Sequence, residues 1–275
     1  MTADYMSLLF LALGYYLLAG LGVNLAYHRC LSHRSVQLRK PLERVLISVA
    51  LPAGTPIQWA GTHRFHHKCA DETADPHSPV WKGFWYSHVG WYIGSSAAWV
   101  CVIYALAGPI RTLYDGWNRP RTNQQYNHLA RDVAADPYYR FVSKPLPFLA
   151  ACVLHVAVSY GFVYACWGWA GVGVLWTVSV VVYNLGDSID SFGHLAGKRP
   201  FRTTHRARNN FVLGYLTLGE GWHANHHEFP ESARQGLLPR QFDWTWQVIL
   251  LLQLAGLASM VKVPAENRIR RRLAE

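Results

Sequence analysis

Eight of the 14 histidines in this 275-residue sequence fall into three short clusters. The first cluster, HRCLSH, contains His28 and His33. The other two share the pattern HxxHH and contain His63, His66 and His67, and His223, His226 and His227. On an α-helix, residues i, i+3 and i+4 share one face, so each HxxHH pattern would project three imidazoles in one direction. Such a triplet is suited to binding a metal ion.

The first cluster has a different spacing. His28 and His33 are five residues apart, which is about 140° around an α-helix. They would converge only if the helix frays or ends between them. The apolar segment that precedes them does end there, next to Arg29. We therefore expect a helix end to direct both imidazoles toward one site.

The number of clustered imidazoles indicates two metal ions. Zinc sites use three or four ligands and often include cysteine, whereas imidazole also suits iron. Soluble di-iron bundles use two Glu-x-x-His repeats with bridging carboxylates. Here only EGWH, from Glu220 to His223, fits that repeat. The sequence predicts a site whose ligands are all or nearly all imidazoles, and such neutral ligands favour a strongly oxidising species formed from dioxygen.

The elements that position these clusters are predicted to lie in a membrane. The chain is 51% hydrophobic and only 15% charged. Residues 5–27 contain no Asp, Glu, Lys or Arg, and this length can cross a hydrocarbon core of about 30 Å. A cleaved signal peptide is disfavoured because the only charge before this segment is Asp4. Residues 5–27 are therefore predicted to form a transmembrane helix.

A second long apolar segment covers residues 145–186, again without Asp, Glu, Lys or Arg. It is too long for one helix and is interrupted by WGWAGVG at residues 167–173. Glycines and interfacial tryptophans suit the turn of a membrane hairpin. We expect two transmembrane helices, at about residues 145–166 and 174–186 with some flanking residues.

Three other apolar segments are ambiguous. Residues 45–62 contain Pro52, Gly54 and Pro56, which break a spanning helix and favour an interfacial or re-entrant one. Hydropathy does not decide whether residues 83–110 or 244–261 span the membrane. If all three histidine clusters lie on one side of the membrane, however, residues 83–110 cannot cross it a single time. The fold class is all-α integral membrane: a single domain over residues 1–275 with about three transmembrane helices, and a cytoplasmic helical cap at residues 187–275.

The charge distribution predicts the orientation. All 26 Lys and Arg residues, which with 16 Asp and Glu give a net charge of +10, fall on one side of the predicted spans. The positive-inside rule makes that side the cytoplasm and places the N-terminus outside. This basic face suits anionic lipid headgroups or an acidic partner. Nucleic acid is not expected as a partner, since the sequence contains no nucleic-acid-binding motif. The five cysteines form no CxxC pair, which disfavours a disulfide framework.

Histidine clusters can also be pH sensors or packed, hydrogen-bonded side chains. That interpretation suits the isolated histidines His88, His128, His155 and His205. It does not explain three clusters on one predicted side of the membrane. A metal transporter is another alternative, but it would need polar ligands within the spans, and these are almost free of ionisable groups except His155.

The motifs HxxxxH, HxxHH and HxxHH, in this order and topology, resemble those of the membrane-bound fatty acyl desaturases. The longer strings HRCLSHRS, HRFHHKCADETADPHSPVWKGFWYSHVGW and GEGWHANHHEFPESARQG are similar to the carbon-9 acyl-CoA and acyl-lipid branch. The likeness covers about residues 14–263. Members of the family commonly have two membrane hairpins, and the resemblance implies that the first helix is missing here.

The resemblance implies a di-iron centre with nine histidine ligands. Eight are the clustered histidines, and the ninth is His194, in DSFGHLAGKRPF. Family members often have an asparagine four residues earlier that reaches a metal through water. Asp190 occupies that position here. Its implied role stays open between a direct ligand, a water-mediated ligand and a hydrogen-bond partner of an imidazole.

The implied reaction is oxygen-dependent removal of two hydrogens from a fatty acyl chain, near carbon 9. Hydroxylation on the same scaffold is the alternative. Two iron ions and O2 would be required, and electrons would come from a ferredoxin or a small b-type cytochrome. Trp59 and Trp222 are candidate walls of a bent apolar tunnel. The acyl-CoA headgroup contacts of animal members are absent at Gly61–Thr62 and at residues 92–95, which favours an acyl lipid or another thioester as substrate.

Overall fold

A computed structural model describes residues 4–274, which are mostly helical. The α-helices are α1 Tyr5–Leu21, α2 Lys40–Ala50, α3 Pro56–Lys68, α4 Pro79–Lys82, α5 Trp91–Ile93, α6 Ala98–Leu106, α7 Pro109–Asn118, α8 Arg131–Ala135, α9 Pro137–Val142, α10 Pro145–Leu195, α11 Phe211–Leu216, α12 His223–Glu228, α13 Trp244–Leu254 and α14 Glu266–Arg272. The described π-helices are Gly22–Ser32 and Tyr86–Gly90, and the described 3-10 helices are Leu51–Ala53, Arg119–Arg121 and Gln124–Ala130. Strands β1 Gln37–Leu38 and β2 Ala258–Ser259 pair antiparallel.

The first apolar segment forms one continuous helical stretch, Tyr5–Ser32, that begins as α1 and ends as a π-helix. It packs closely against α2 at Gly22. A Cβ atom on Gly22 would lie 2.9 Å from both the Ala50 Cβ and the Leu46 carbonyl oxygen. Glycine therefore allows the two backbones to approach each other just before the first histidine cluster.

The second apolar segment is the predicted hairpin. Helix α10 reverses at Gly168, whose φ of 60° and ψ of −151° are not helical. The Tyr160 hydroxyl lies 3.4 Å from the Ser179 hydroxyl, although nineteen residues would span about 28 Å along a straight helix. The turn is tighter than predicted, since residues 169–173 already belong to the second arm. That arm continues past Gly186 to Leu195, so the expected boundary at residue 187 falls inside a helix.

By length and composition, the stretches Tyr5–Ser32 and Pro145–Leu195 could each cross a membrane. Because the second reverses at Gly168, together they provide the predicted number of about three spanning helices. A further span would exist only if two helical segments bent by 83° relative to each other, Tyr86–Ile93 and Ala98–Leu106, were counted as one helix. This bend agrees with the expectation that residues 83–110 do not cross once.

One contact aligns the hairpin with α1. The Trp167 indole N–H donates to the Ser7 hydroxyl at 3.0 Å. The hairpin turn and the start of α1 therefore lie at the same end of the bundle. The other ends of the stretch Tyr5–Ser32 and of the second arm of α10 carry His28 and His194, so the spans bring these histidines to one common end.

The segment of residues 45–62 is broken as predicted. Helix α2 ends at Ala50, a short 3-10 helix follows, and α3 begins at Pro56 after Gly54, whose φ is 132°. The Thr55 side chain caps α3 by accepting a hydrogen bond from the Gln58 N–H at 3.1 Å. This break allows α3 to point its C-terminal half toward the end of α1.

Candidate metal centre

Both HxxHH patterns lie on helices, as predicted. Helix α3 carries His63, His66 and His67 in its last two turns, and α12 begins at His223 and also carries His226 and His227. Each triplet therefore projects from one helix. The two helices are far apart in the sequence, and only the fold brings them together.

The first cluster lies at a helix end, as expected, but this end has π-helical geometry. The helix continues past Arg29 as a π-helix to Ser32, and the His33 N–H donates to the His28 carbonyl oxygen at 3.1 Å. In a π-helix, hydrogen bonds link residues five apart, so these residues lie about one turn above each other. The π-helical geometry thus places both imidazoles on one side.

The nine predicted ligands assemble into two groups, and within each group the potential ligand atoms all lie within 4.8 Å of one another. The five-histidine group contains His28, His33, His63, His67 and His226. The four-histidine group contains His66, His194, His223 and His227. The α3 and α12 triplets contribute to both groups, so the two groups are adjacent.

The Nε2 atoms within each group converge. His28 and His226 are 3.0 Å apart, and His33 and His63 are 2.8 Å apart. In the four-histidine group, His194 and His223 are also 3.0 Å apart. Two nitrogens that bind one ion at right angles, each at about 2.1 Å, are separated by about 3.0 Å. The spacing of these donors fits a metal ion in each group.

Carboxylates fix the orientation of three of these imidazoles. Glu220 lies 2.5 Å from the His28 Nδ1. Asp75 lies 3.0 Å from the His66 Nδ1, and Asp71 lies 2.8 Å from the His194 Nδ1. If Nδ1–H donates to the carboxylate, the Nε2 lone pair is left free to face the group. Several such lone pairs within about 3 Å would repel one another unless a cation lay between them.

Buried arginine supports the Glu220 carboxylate. Arg29 is 1% exposed, and its guanidinium donates to Glu220 at 3.0 Å and to both oxygens of Asp243. Burial alone would raise the pKa of Glu220, but His28 and Arg29 lower it to about 2. Glu220 is therefore ionised at neutral pH and able to accept a hydrogen bond from the His28 Nδ1–H.

Burial keeps most of the predicted ligands neutral. It lowers the pKa well below 6.5 for His33, His63, His67, His223, His226 and His227. His66 differs, because Asp75 outweighs the effect of burial and raises its pKa. Neutral imidazole is the form that binds metals.

His77 lies beside the four-histidine group without joining it. Its ring stacks on His66 with centroids 4.4 Å apart, and burial lowers its pKa to about 3. His66, Asp75 and His77 also have potential ligand atoms within 4.8 Å of one another. However, Asp75 contacts Nδ1 of His66, the nitrogen opposite the one that faces His227. We therefore assign Asp75 to orienting His66.

A cavity adjoins both groups. It is lined by His28, His63, His66 and His223 and by side chains of α1, α2, α7 and the second arm of α10. Trp59 lines it as predicted, with its ring stacked on His63 at 4.9 Å. Asp190 also lines it, and its carboxylate lies 4.0 Å from the His77 Nδ1.

Trp222 does not lie where the tunnel prediction placed it. Of the described residues, those that line the cavity do not include Trp222. It is 2% exposed, packs against Gly214 and donates its indole N–H to the Phe242 carbonyl oxygen at 2.8 Å. Trp222 therefore has a packing role in the structure, beside Gly214 and the Phe242 backbone.

Comparison with known proteins identifies the family. The family model described as fatty acid desaturase matches residues 6–251. This chain belongs to the fatty acid desaturase family. Membership makes it an oxidoreductase of lipid metabolism, in agreement with the resemblance seen in the histidine motifs.

Curated desaturases are similar over most of the chain. A palmitoyl-monogalactosyldiacylglycerol delta-7 desaturase of Arabidopsis thaliana is 36% identical over 94% of this chain and 63% of its own length. An acyl-CoA 5-desaturase of Anemone leveillei is 38% identical, over 94% and 73%. An sn-1 stearoyl-lipid 9-desaturase of Anabaena variabilis is 37% identical, over 90% and 81%. This chain thus spans just under two thirds of the first relative.

The sequence reasoning missed the carboxylates that orient the desaturase histidines. Asp71 and Asp75 lie in CADETADPH, within ten residues of the second cluster, and that proximity was the available signal. Glu220 was noticed only as half of a Glu-x-x-His repeat. Its contact is with His28, 192 positions away in the sequence, which spacing cannot show.

Proposed function

We propose that this protein desaturates a fatty acyl chain, with two iron ions held by the nine histidines of the five- and four-histidine groups. The observation that carries the proposal is the convergence of the two groups beside a cavity that extends between membrane helices. Imidazole suits iron, and two adjacent ions suit dioxygen chemistry. The irons, when bound, would supply the dioxygen-derived oxidant.

The overall reaction balances with external electrons. Two hydrogens leave adjacent methylenes, and with two electrons and two protons from outside they reduce one dioxygen to two waters. Residues 1–275 contain no haem or iron–sulfur motif, which supports a separate source for the electrons. We propose an acidic one-electron carrier, a ferredoxin or a b-type cytochrome, which the net charge of +10 would attract.

The residues of this chain have three tasks in that reaction. Asp71, Asp75 and Glu220 hold the Nδ1 side of three imidazoles and so fix where their Nε2 atoms point. Burial of most of these histidines would limit access of water to metal ions bound there. The apolar part of the cavity wall, which includes Trp59, would hold the acyl chain beside the two groups.

The position of the double bond and the acyl carrier belong to the proposal. We propose desaturation near carbon 9, because the longer motif strings resemble that branch. The named relatives act at carbons 7, 5 and 9 and on lipid-linked or CoA-linked chains. The absent acyl-CoA headgroup contacts favour an acyl lipid or another thioester.

We also propose a sidedness for the enzyme. The histidine end of the bundle would face the cytoplasm, where the positive-inside rule places the basic residues, and the hairpin turn would face outward. The Trp167–Ser7 contact supports this arrangement by placing the turn and the start of α1 at one end.

The function is tested by expressing the protein in a host that lacks unsaturated fatty acids and locating double bonds in its lipids. We expect monounsaturated chains with the native protein and none with His63→Ala or His226→Ala. The matched control is His128→Ala, which changes an exposed histidine outside both groups. Unsaturation that survives both ligand substitutions would refute the site. A gain of one oxygen, without loss of two hydrogens, would identify a hydroxylase.

A further inference from the structure

The cavity beside the histidines has two unlike walls. One is apolar and includes Ala19, Val23 and Val182. The other carries the guanidinium groups of Arg111 and Arg119, which come from α7 and the 3-10 turn that follows it. A methylene chain alone gains nothing from a charged wall, so this wall calls for an explanation.

The two arginines differ in how they are satisfied. Arg111 donates to both oxygens of Asp187, at 2.5 and 3.0 Å. Arg119 is 2% exposed, and its Nε and Nη1 have no hydrogen-bond partner among residues 4–274. The nearest carboxylate, Asp115, lies 3.7 Å from Nε. Leaving such donors unpaired in a buried site is costly, and Arg119 is one of the residues that line the cavity, so an acceptor bound there would supply the partner that its guanidinium lacks.

The Arg119 guanidinium is also held in place. Its Cζ lies 3.6 Å from the centroid of the Tyr92 ring, a cation–π contact. The Tyr92 hydroxyl in turn donates to Asp187 at 3.0 Å. Because the plane of the guanidinium is fixed on the aromatic ring, its free N–H groups have a defined direction before any ligand binds.

The charges of the side chains in this wall indicate whether its ligand is an anion or a neutral molecule. Arg111 and Arg119 are balanced by Asp115 and Asp187, and Asp190 adds a further carboxylate facing the cavity. An anion would therefore meet no excess of positive charge. The carboxylates already accept hydrogen bonds, since Tyr104 donates to Asp115 at 2.6 Å. The wall therefore has unpaired hydrogen-bond donors on Arg119, and a neutral oxygen acceptor is the ligand that matches them best.

We propose that Arg119 binds a neutral oxygen acceptor on the acyl substrate, either the carbonyl of its ester or thioester or a hydroxyl group on the chain. This inference rests on the proposed desaturation. An oxygen held at Arg119 would anchor one point of an otherwise featureless chain. The number of carbons between that oxygen and the histidine groups would then determine which bond is desaturated.

The test compares probes that differ in one oxygen. Binding is measured to the iron-loaded full-length protein in phosphatidylcholine nanodiscs without dioxygen, so that no turnover occurs. The probes are methyl stearate, octadecyl methyl ether and the same ether with a mid-chain hydroxyl. We expect either the ester or the hydroxylated ether to bind about tenfold more tightly than the plain ether, whose ether oxygen is neither a carbonyl nor a hydroxyl. Preference for the ester identifies a carbonyl, and preference for the hydroxylated ether identifies a hydroxyl.

The variants assign the preference to one guanidinium. Arg119→Met should abolish it, whereas Arg121→Met, an exposed arginine on the same 3-10 turn, should keep it. If Arg119→Met does not fold, Arg119→Lys keeps the charge beside Asp115 but lacks the paired N–H groups, and it should lower the preference. The proposal is wrong if the native protein shows no preference, or if the preference survives in the Arg119 variant that folds.

Failure of this inference is separable from failure of the proposed function. If the native protein makes no unsaturated lipid, the desaturase proposal fails while the binding comparison still reports on Arg119. If unsaturated lipid forms but Arg119 variants bind all probes like the native protein, only the Arg119 assignment fails. For a carbonyl anchor, Arg119→Lys should also broaden the distribution of double-bond positions.

Discussion

At the scale of single residues, the contact between Asp75 and His66 is the most informative one to change. Both carboxylate oxygens lie 3.0 Å from the His66 Nδ1. Burial would raise the pKa of Asp75, but His66 lowers it, so the carboxylate is charged at neutral pH. We expect Asp75→Asn to weaken metal binding in the four-histidine group by about 10- to 100-fold, because the imidazole loses its charged partner.

Metal titration of the purified protein measures this effect. The five-histidine group should keep its affinity, so the titration should separate into a tight and a weakened site. Asp136→Asn is the matched control: Asp136 caps α9 by accepting from the Tyr138 N–H, and asparagine caps equally well. Two equally tight sites in Asp75→Asn would contradict the assigned role.

The same scale shows what the sequence could predict at the site. Ligand spacing depends on local helix geometry, so the two HxxHH triplets were predictable from the pattern alone. His194 could be proposed only through family resemblance, since it is an isolated histidine with no partner in its own segment. The Asp71–His194 contact joins residues 123 positions apart. Only tertiary packing creates such contacts, and no local pattern contains them.

At the scale of elements, the junction between α1 and α2 positions the first cluster. Gly22 begins the π-helix that carries His28, and a Cβ there would press on Ala50 and on the Leu46 carbonyl. We expect Gly22→Ala to destabilise the protein by about 1–3 kcal/mol, because backbone must shift to make room. A thermal unfolding midpoint in detergent measures the loss, and a metal count should show lower occupancy in the five-histidine group.

Gly14→Ala is the matched control on the same helix. Apart from the neighbouring residues and the backbone of its own helix, no described atom lies within 4 Å of the Cβ position at Gly14. Alanine is favoured over glycine in a helix by about 1 kcal/mol, so this variant should be as stable as the native protein or more so. Similar midpoints for the two variants would show that close packing at Gly22 is not required.

The elements also show which features of the fold could be predicted from the sequence and which could not. Proline and glycine correctly predicted the break within residues 45–62, because these residues act through local backbone geometry. The π-helix was not predictable, since apolar periodicity does not distinguish a π-helical end from a frayed α-helix. The hairpin was predicted, but WGWAGVG offered several glycines as the turn, and only Gly168 adopts the positive φ. The second arm was expected to end near Gly186 with some flanking residues, yet it continues to Leu195, and its Asp187 is paired with Arg111.

At the scale of the whole molecule, the bundle has two distinct ends. One end carries the nine clustered histidines, and the other end carries the hairpin turn with Cys166, Trp167 and the start of α1. Among the cysteines of residues 4–274, Cys166 is exposed and the other four are buried. This difference makes one native thiol a reporter of how the molecule sits in the membrane.

We expect a membrane-impermeant maleimide to label the protein in intact cells, because the proposed orientation places Cys166 at the outer surface. The buried thiols should react only after unfolding. Cys166→Ser should abolish the labelling and leave lipid unsaturation unchanged, since Cys166 lies outside the cavity and both histidine groups. Labelling confined to inverted vesicles would reverse the orientation, and with it the side from which an electron carrier reaches the histidine end.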